Sequence, residues 1–248
     1  MTGVATPSLP AEREGDKVTL ALLDAFDLRF GGEPVPLPPS AQRLLALIAL
    51  HERPLLRPYV AGTLWLDTTE DRASANLRSS LWRLNRPGRK LVEATNLQLR
   101  LAPEVRVDVR ETAELAHRLL TKPGGWQDGE IDLDLARLTG ELLPDWYDDW
   151  VFIERERLRQ LSLHALEALG ERLLAAKRLG EALETALAAI AMEPLRESAH
   201  RLLIRIHVEE GNAGEAIRQF EFCRRLFRDQ LGLSPSPQLA QLVETVTN

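Results

Sequence analysis

Polar and basic side chains recur along one segment of the chain at a spacing that suits nucleic acid. Five of them fall within about 80° of one another on a helical projection: Arg72, Asn76, Ser79, Arg83 and Arg86. Arginine can pair with guanine edges, asparagine with adenine, and all of these side chains with phosphate. A solvated helix face normally mixes charges, whereas residues 72–92 contain no acidic residue. We therefore expect this stripe to bind DNA.

The elements around the stripe are those that would hold such a helix in place. Apolar or small residues form a separate sector of the same helix, which we predict to be buried: Ala73, Leu77, Ser80, Leu81 and Leu84. Two shorter helices precede it, and a hairpin containing Asn96 follows, with Arg89 and Lys90 at its base. This order is typical of a winged helix-turn-helix, in which the third helix recognises DNA.

The whole chain is predicted to be mixed and mainly α-helical, with two folded domains. Residues 1–16 lack periodicity and are predicted to be a disordered leader. Residues 17–103 are predicted to form the winged helix, from a small sheet, three helices and the wing hairpin. We expect Ser40 to cap the first helix, and Thr68 with Asp71 to form a capping box for the third.

Residues 104–248 are predicted to form an all-α domain that resembles tetratricopeptide repeats. The sequence aligns with itself at an offset of 34 residues, which pairs Gly180 with Gly214 and Ala182 with Ala216. This offset is the period of the tetratricopeptide helix–turn–helix unit. Small residues at these positions allow neighbouring helices to approach closely.

The charge is divided between these regions. The chain has a formal net charge of −6. Residues 38–102 carry 10 Lys and Arg against 5 Asp and Glu, while residues 103–248 carry 18 against 26. An acidic protein thus contains one basic block, and this block includes the polar stripe. We expect phosphates to attract the basic block and to repel the helical half.

Several classes of protein are excluded or disfavoured. The single cysteine, Cys223, excludes a disulfide framework and a multi-cysteine zinc site. The chain has no phosphate-binding loop, dinucleotide fingerprint or nucleophile elbow. Its longest apolar run, Leu44–Leu50, has seven residues, far short of the roughly 20 that span a membrane. We expect a cytoplasmic, nucleoid-associated protein that is not an enzyme and uses no cofactor or metal.

Taken together, these motifs resemble the SARP-type bacterial transcriptional activators, the Streptomyces antibiotic regulatory proteins and their relatives. The resemblance begins with the run LPPSAQRLLALIALHERPLLRPYVAGTLWLDTTEDRASANLRSSLWRLNR and continues with LVEAT and LRLAPEVRVDV. It extends to LRESAHRLL at residues 195–203 and LGLSPSPQL at residues 231–239. It covers roughly residues 18–246, with both domains in the family's order. Trp82 departs from it, because a smaller polar residue is expected there.

The resemblance implies an OmpR-like winged helix followed by a bacterial transcriptional activation domain. It implies an activator that binds direct repeats in promoter DNA and contacts RNA polymerase, in part through residues 66–70. Two copies can be expected to assemble on DNA, and no membrane partner is expected. The candidate DNA-binding residues are Arg72, Asn76, Ser79, Arg83, Arg86, Arg89, Lys90 and Asn96. Two alternatives stay open: a protein-interaction adaptor that acts through the helical half, and a regulator that senses a ligand through that half.

Overall fold

The computed structural model describes residues 17–85, 90–121 and 135–247, and these form two compact units. The first unit extends to Arg110 and also includes Leu143–Trp146. The second unit contains Glu111–Leu142 and the chain from Tyr147 onward. The predicted leader, residues 1–16, lies outside the described residues.

The first unit opens with a small sheet in which local hairpins are joined by a distant strand. Its strands are β1 (Val18–Ala21), β2 (Asp27–Phe30), β3 (Glu33–Pro34) and β7 (Val105–Val107). The order is β3-β2-β1-β7, with β7 parallel to β1 and the other pairs antiparallel. The predicted small sheet is confirmed, and Val18, Leu20 and Leu28 are buried on one of its faces.

Several contacts join this sheet to residues that are distant in the sequence. The carboxylate of Asp108 accepts hydrogen bonds from the backbone N–H groups of Leu22 (2.9 Å) and Leu23 (3.0 Å). The backbone N–H of Leu143 donates to the carbonyl of Leu22 at 2.9 Å, and the rings of Phe26 and Trp146 stack with centroids 5.9 Å apart. The contacts of Leu143 and Trp146 explain why the later segment Leu143–Trp146 belongs to the first unit.

Three helices follow the first strands of this unit, as predicted. They are α1 (Pro39–Ala49), α2 (Arg57–Leu64) and α3 (Glu70–Leu84). The two predicted side-chain caps are wrong. Pro38 is the N-cap of α1, so that Ser40 lies inside the first turn. Thr69 is the N-cap of α3 with no side-chain hydrogen bond, and the Thr68 hydroxyl instead donates to the carbonyl of Trp65 at 3.0 Å.

A three-stranded sheet completes the first unit and contains the predicted wing. Strands β5 (Val92–Ala94) and β6 (Gln98–Leu101) form the hairpin, and β4 (Leu55–Leu56) pairs with the other edge of β6. The hairpin was expected from the sequence. Strand β4 was not, because two residues are too few to show an alternating pattern.

The second unit is helical in its described part, which confirms the predicted fold class. Its helices are the remainder of α4 (Asp108–Thr121), then α5 (Leu135–Thr139), α6 (Asp149–Ala175), α7 (Leu179–Met192), α8 (Glu197–Glu209), α9 (Ala213–Leu231) and α10 (Pro237–Thr247). None of the described helices is long and apolar enough to cross a membrane.

The 34-residue offset corresponds to equivalent positions in alternate helices. Gly180 and Gly214 are each the second residue of their helix, α7 and α9. Ala182 and Ala216 are fully buried, as expected for small residues at helix contacts. Gly170 shows how close the packing is, because a Cβ atom there would lie 2.5 Å from Cδ2 of Leu202.

Candidate nucleic-acid interface

Helix α3 buries one face and exposes the other, as its periodicity predicts. The buried residues are Ala73, Leu77, Ser80, Leu81 and Leu84. The opposite face brings together four of the predicted DNA-binding residues. Arg72, Ser79 and Arg83 are exposed, while Asn76 is half-buried. Arg86 and Arg89, which were also predicted to bind DNA, lie outside the described residues.

The arginines of α3 are not engaged by other groups in the described part of the chain. Within those residues, Arg72, Arg78 and Arg83 make no hydrogen bond or ion pair. The acidic side chains of α3, Glu70 and Asp71, are confined to its first turn. The remaining turns therefore present positive charge that no carboxylate of the described chain neutralises, and such a surface attracts an anionic partner.

Arg78 is an exposed cation of this face that the sequence prediction did not include. It lies about 120° from Arg72 on the helical projection and so falls outside the narrow polar stripe. Arg78 would have been included if every position outside the buried sector, which ends at Leu81, had been counted as part of the exposed face.

The wing is attached to the end of α3 by one side chain. The Asn85 side chain donates from Nδ2 to the carbonyl of Val92 at 2.9 Å. Its Oδ1 accepts hydrogen bonds from the backbone N–H groups of Leu91 and Val92, both at 3.2 Å. Because one amide satisfies three backbone groups at and just before the start of β5, it fixes where the wing lies relative to the arginine face. This role of Asn85 was not predicted from the sequence.

The turn of the wing is held from within and from the start of α2. The Thr95 hydroxyl oxygen accepts hydrogen bonds from the backbone N–H groups of Leu97 (3.3 Å) and Gln98 (3.0 Å). Nε of Arg57 donates to the Thr95 carbonyl at 2.8 Å. The backbone N–H of Arg57 donates to the Leu97 carbonyl at 3.0 Å. This arrangement leaves Asn96, a predicted DNA contact, exposed at the turn.

The cations of the wing, unlike those of α3, share a carboxylate. Nζ of Lys90 lies 3.7 Å from Oε1 of Glu93, and Nη2 of Arg100 lies 2.7 Å from Oε2 of the same residue. The hydrogen bond from Arg100 is the main reason why the pKa of Glu93 is lowered. Lys90, a predicted phosphate contact, is therefore exposed but partly neutralised.

Groups that often carry catalysis or bind metals serve packing in the second unit. His200 is fully buried, with Nε2 2.8 Å from the carbonyl of Pro194 and Nδ1 2.7 Å from the amide of Gln219. Burial lowers the pKa of His200 and raises that of Cys223 to about 12. Among the described residues, no group of three or more His, Cys, Asp or Glu could hold a metal ion.

Arginines of the second unit are, in contrast with those of α3, mostly paired with glutamates. The pairs include Arg157–Glu154, Arg159–Glu193, Arg178–Glu181, Arg196–Glu167, Arg205–Glu171, Arg218–Glu215 and Arg224–Glu221. The Arg196–Glu167 pair is bidentate, with N–O distances of 2.7 and 2.8 Å, and Ser198 also donates to this carboxylate.

Comparison with known proteins gives matches along most of the chain. Residues 131–247 match the bacterial transcriptional activator domain family. The regulatory protein AfsR of Streptomyces coelicolor is 28% identical over 260 residues, which is 97% of this chain and 25% of AfsR. The Streptomyces griseus AfsR is 25% identical over 264 residues, with the same coverage. The chain thus spans about a quarter of the length of these curated relatives.

A solved structure gives the corresponding match in three dimensions. Mycobacterium tuberculosis EmbR, in complex with a low affinity phosphopeptide, superposes with a TM-score of 0.68 at 22% sequence identity. The match covers 93% of this chain and 65% of the EmbR chain. At this identity the likeness concerns the fold. The domain match and the two AfsR relatives confirm the family resemblance drawn from the sequence.

Proposed function

We propose that this chain, which is similar to the SARP-type transcriptional regulators and carries a bacterial transcriptional activator domain, is a sequence-specific DNA-binding activator without catalytic activity. The observation that carries the proposal is the exposed face of α3. Its arginines have no partner within the described chain, and they stand beside an amide and a hydroxyl. This inventory is the one that reads base edges and binds phosphates in a major groove.

Helix α3 has suitable dimensions for the major groove. Its 15 residues extend over roughly 22 Å, and a groove about 12 Å wide accepts one helix. We propose that Arg83, Asn76 and Ser79 contact base edges. Arg72, in the first turn of α3, and Arg78, which lies outside the polar stripe, would contact phosphates.

The wing adds contacts next to the helix. Asn85 fixes the wing strand to the end of α3, so that a helix seated in the major groove brings Asn96 and Lys90 towards the backbone. Arg86 and Arg89, which lie in the sequence between α3 and the wing, are proposed to contribute further phosphate contacts. Such contacts set register and affinity rather than sequence preference.

The proposal extends to promoter organisation and to RNA polymerase through the family resemblance. The loop between α2 and α3 exposes Leu66, which is 74% accessible, and we propose that this loop faces polymerase. The acidic helical half would stand away from the phosphates while it engages partner proteins. We also propose binding to direct repeats, with two copies assembled on DNA.

Selection of bound duplexes from a random-sequence pool by the full chain, followed by footprinting, tests this function. We expect enrichment of a repeated motif. A variant with Ala at Arg72, Arg78 and Arg83 should enrich nothing. The matched control is a variant with Ala at Arg157, Arg218 and Arg224. It removes the same charge from the second unit and should still enrich the wild-type motif. A folded wild-type chain that enriches no motif would contradict the proposal.

A protein-interaction adaptor is the second candidate, and exposed apolar side chains of the second unit favour it. Tyr147 is 79% exposed and Ile153 is 69% exposed. An adaptor would make these its main contacts and would have no need of the free arginines on α3. The two candidates differ in the selection experiment, because an adaptor would show equally weak binding to all duplexes, lost in moderate salt.

A further inference from the structure

Trp82 lies on the exposed face of α3 with its side chain 79% accessible. In the described part of the chain its indole makes no ring contact, hydrogen bond or cation contact. Single exposed apolar residues are common on protein surfaces and need no explanation by themselves. The neighbours of Trp82 make it different, because it stands among side chains that we propose to contact DNA.

The arginines around Trp82 identify the kind of partner that would cover it. Arg78 precedes it by four residues and Ser79 by three, so both lie on the adjoining helix surface, and Arg83 follows directly. Both arginines are exposed and have no partner among the described residues. A surface that combines free guanidinium groups with one large apolar ring fits a polyanion that also carries apolar groups, and DNA is such a polymer.

The position of Trp82 on the helix indicates which chemical group of the DNA its indole would contact. On the helical projection it lies about 60° from Ser79 and about 100° from Arg83, and thus to one side of the polar stripe. When the stripe faces the base edges, the indole faces the side of the groove. The apolar group that DNA presents there is the C5-methyl of thymine, which projects into the major groove.

We propose that Trp82 is a specificity-determining residue that packs its indole ring against the C5-methyl group of a thymine in the bound site. The inference rests on the proposed function, since it requires α3 to enter the major groove. Burial of one methyl group changes affinity by about fourfold. This is enough to favour thymine over cytosine or uracil at one position, beside the hydrogen bonds that the arginines form.

Replacement of thymine by uracil tests the contact, because it removes the methyl group and keeps every hydrogen-bonding group of the base edge. The probe is the duplex that the full-length wild-type chain enriches from a random pool. Each thymine of this duplex is replaced in turn. We expect one or two positions at which uracil weakens wild-type binding by about fourfold. Trp82→Ala should bind the thymine duplex more weakly and should not distinguish uracil at those positions.

Two variants serve as controls. Arg78→Ala should lose affinity but keep the preference for thymine, because it leaves the ring in place. Trp82→Phe should keep part of the preference. Trp82 is exposed, so thermal melting should show that all these variants are folded.

Three results would overturn the inference. The first is a Trp82→Ala variant that keeps the wild-type affinity, and the second is one that keeps the preference for thymine at every position. The third is loss only of cooperative binding to paired sites, which would place Trp82 at a contact between two copies of the chain. Failure of the wild-type chain to enrich any duplex would instead overturn the proposed function.

Discussion

The arginines of α3 and those of the helical unit use the same guanidinium group in opposite ways. Arg72, Arg78 and Arg83 have no carboxylate partner within the described chain. In the second unit, arginines such as Arg159 and Arg196 reach glutamates of the same or a neighbouring helix. Paired arginines stabilise the helical stack, whereas the arginines of α3 are available to a partner from outside.

The ion pairs of the second unit contribute differently to stability according to their exposure. Arg218 and Glu215 are exposed, and pairs of this kind contribute about 0–1 kcal/mol. Arg196 and Glu167 are only 18% and 17% accessible. Burial raises the pKa of Glu167, but the hydrogen bonds from Arg196 and Ser198 outweigh burial, so the net pKa is lowered. We expect this pair to dominate the electrostatic part of the unit's stability.

Removal of Glu167 should have the largest effect. Glu167→Ala leaves Arg196 largely buried without its carboxylate, and loss of one partner from a buried pair costs about 3 kcal/mol. Chemical denaturation of the full chain measures this loss. The control is Glu215→Ala in the exposed pair, for which we expect less than about 0.5 kcal/mol. Equal losses for the two variants would mean that burial of the pair does not matter.

The carboxylate of Glu167 should also make stability depend on pH. The change should be no larger than the loss expected for Glu167→Ala. The pKa of this carboxylate is lowered by folding, so the unfolded chain binds its proton at a higher pH than the folded chain does. The stabilisation is therefore complete above the unfolded pKa and is lost as the pH falls through the folded pKa. Denaturation of the wild type and of Glu167→Gln from pH 7 to pH 3 measures the effect. The stability difference between them should shrink in acid.

Arg83→Ala should act on DNA affinity and leave stability almost unchanged. If Arg83 reads a base, the loss of affinity for the selected duplex is about 1–3 kcal/mol, and preference at one base pair should relax. Its exposed side chain makes no hydrogen bond or ion pair in the described chain, so the free energy of unfolding should stay within about 0.5 kcal/mol. Titration of labelled duplex and denaturation measure both quantities. Unchanged affinity would remove Arg83 from the interface.

The smallest effect concerns the wing, where cations that are proposed to lie near DNA also have a carboxylate partner. Glu93 already offsets Lys90 and Arg100. Lys90→Gln should therefore reduce the salt dependence of DNA binding by less than the slope of about 0.9 expected for a full phosphate contact. In a Glu93→Gln background, the same change should remove the full slope. Identical slopes in both backgrounds would show that Glu93 does not compete with phosphate for Lys90.

Features that depend on local periodicity were predictable from the sequence. The five buried residues of α3 were identified correctly because an amphipathic helix repeats its apolar positions every three to four residues. The hairpin strands are local in the same sense, and the 34-residue offset was visible because the sequence repeats itself. Caps were predicted less well: Ser40 and Thr68 are suitable residue types, but their backbone positions depend on where each helix starts.

The candidate site was predictable in part for the same reason. Arg72, Asn76, Ser79 and Arg83 share one face, as their spacing requires, whereas Arg78 was missed because the stripe was drawn too narrowly. Arg86 and Arg89 lie outside the described residues. That all these residues contact DNA stays a prediction, as do the operator and the polymerase contact.

The sequence by itself determined which residues form helices, which face of α3 is buried and where positive charge is concentrated. These follow from residue type and from spacings of a few residues. Only the tertiary structure decided that β7 pairs with β1, that Asn85 holds the wing, and that Glu93 partly neutralises Lys90. It also decided that the arginines of α3 have no partner among the described residues. Such contacts join groups brought together by the path of the chain or by side-chain geometry, and composition and periodicity do not encode either.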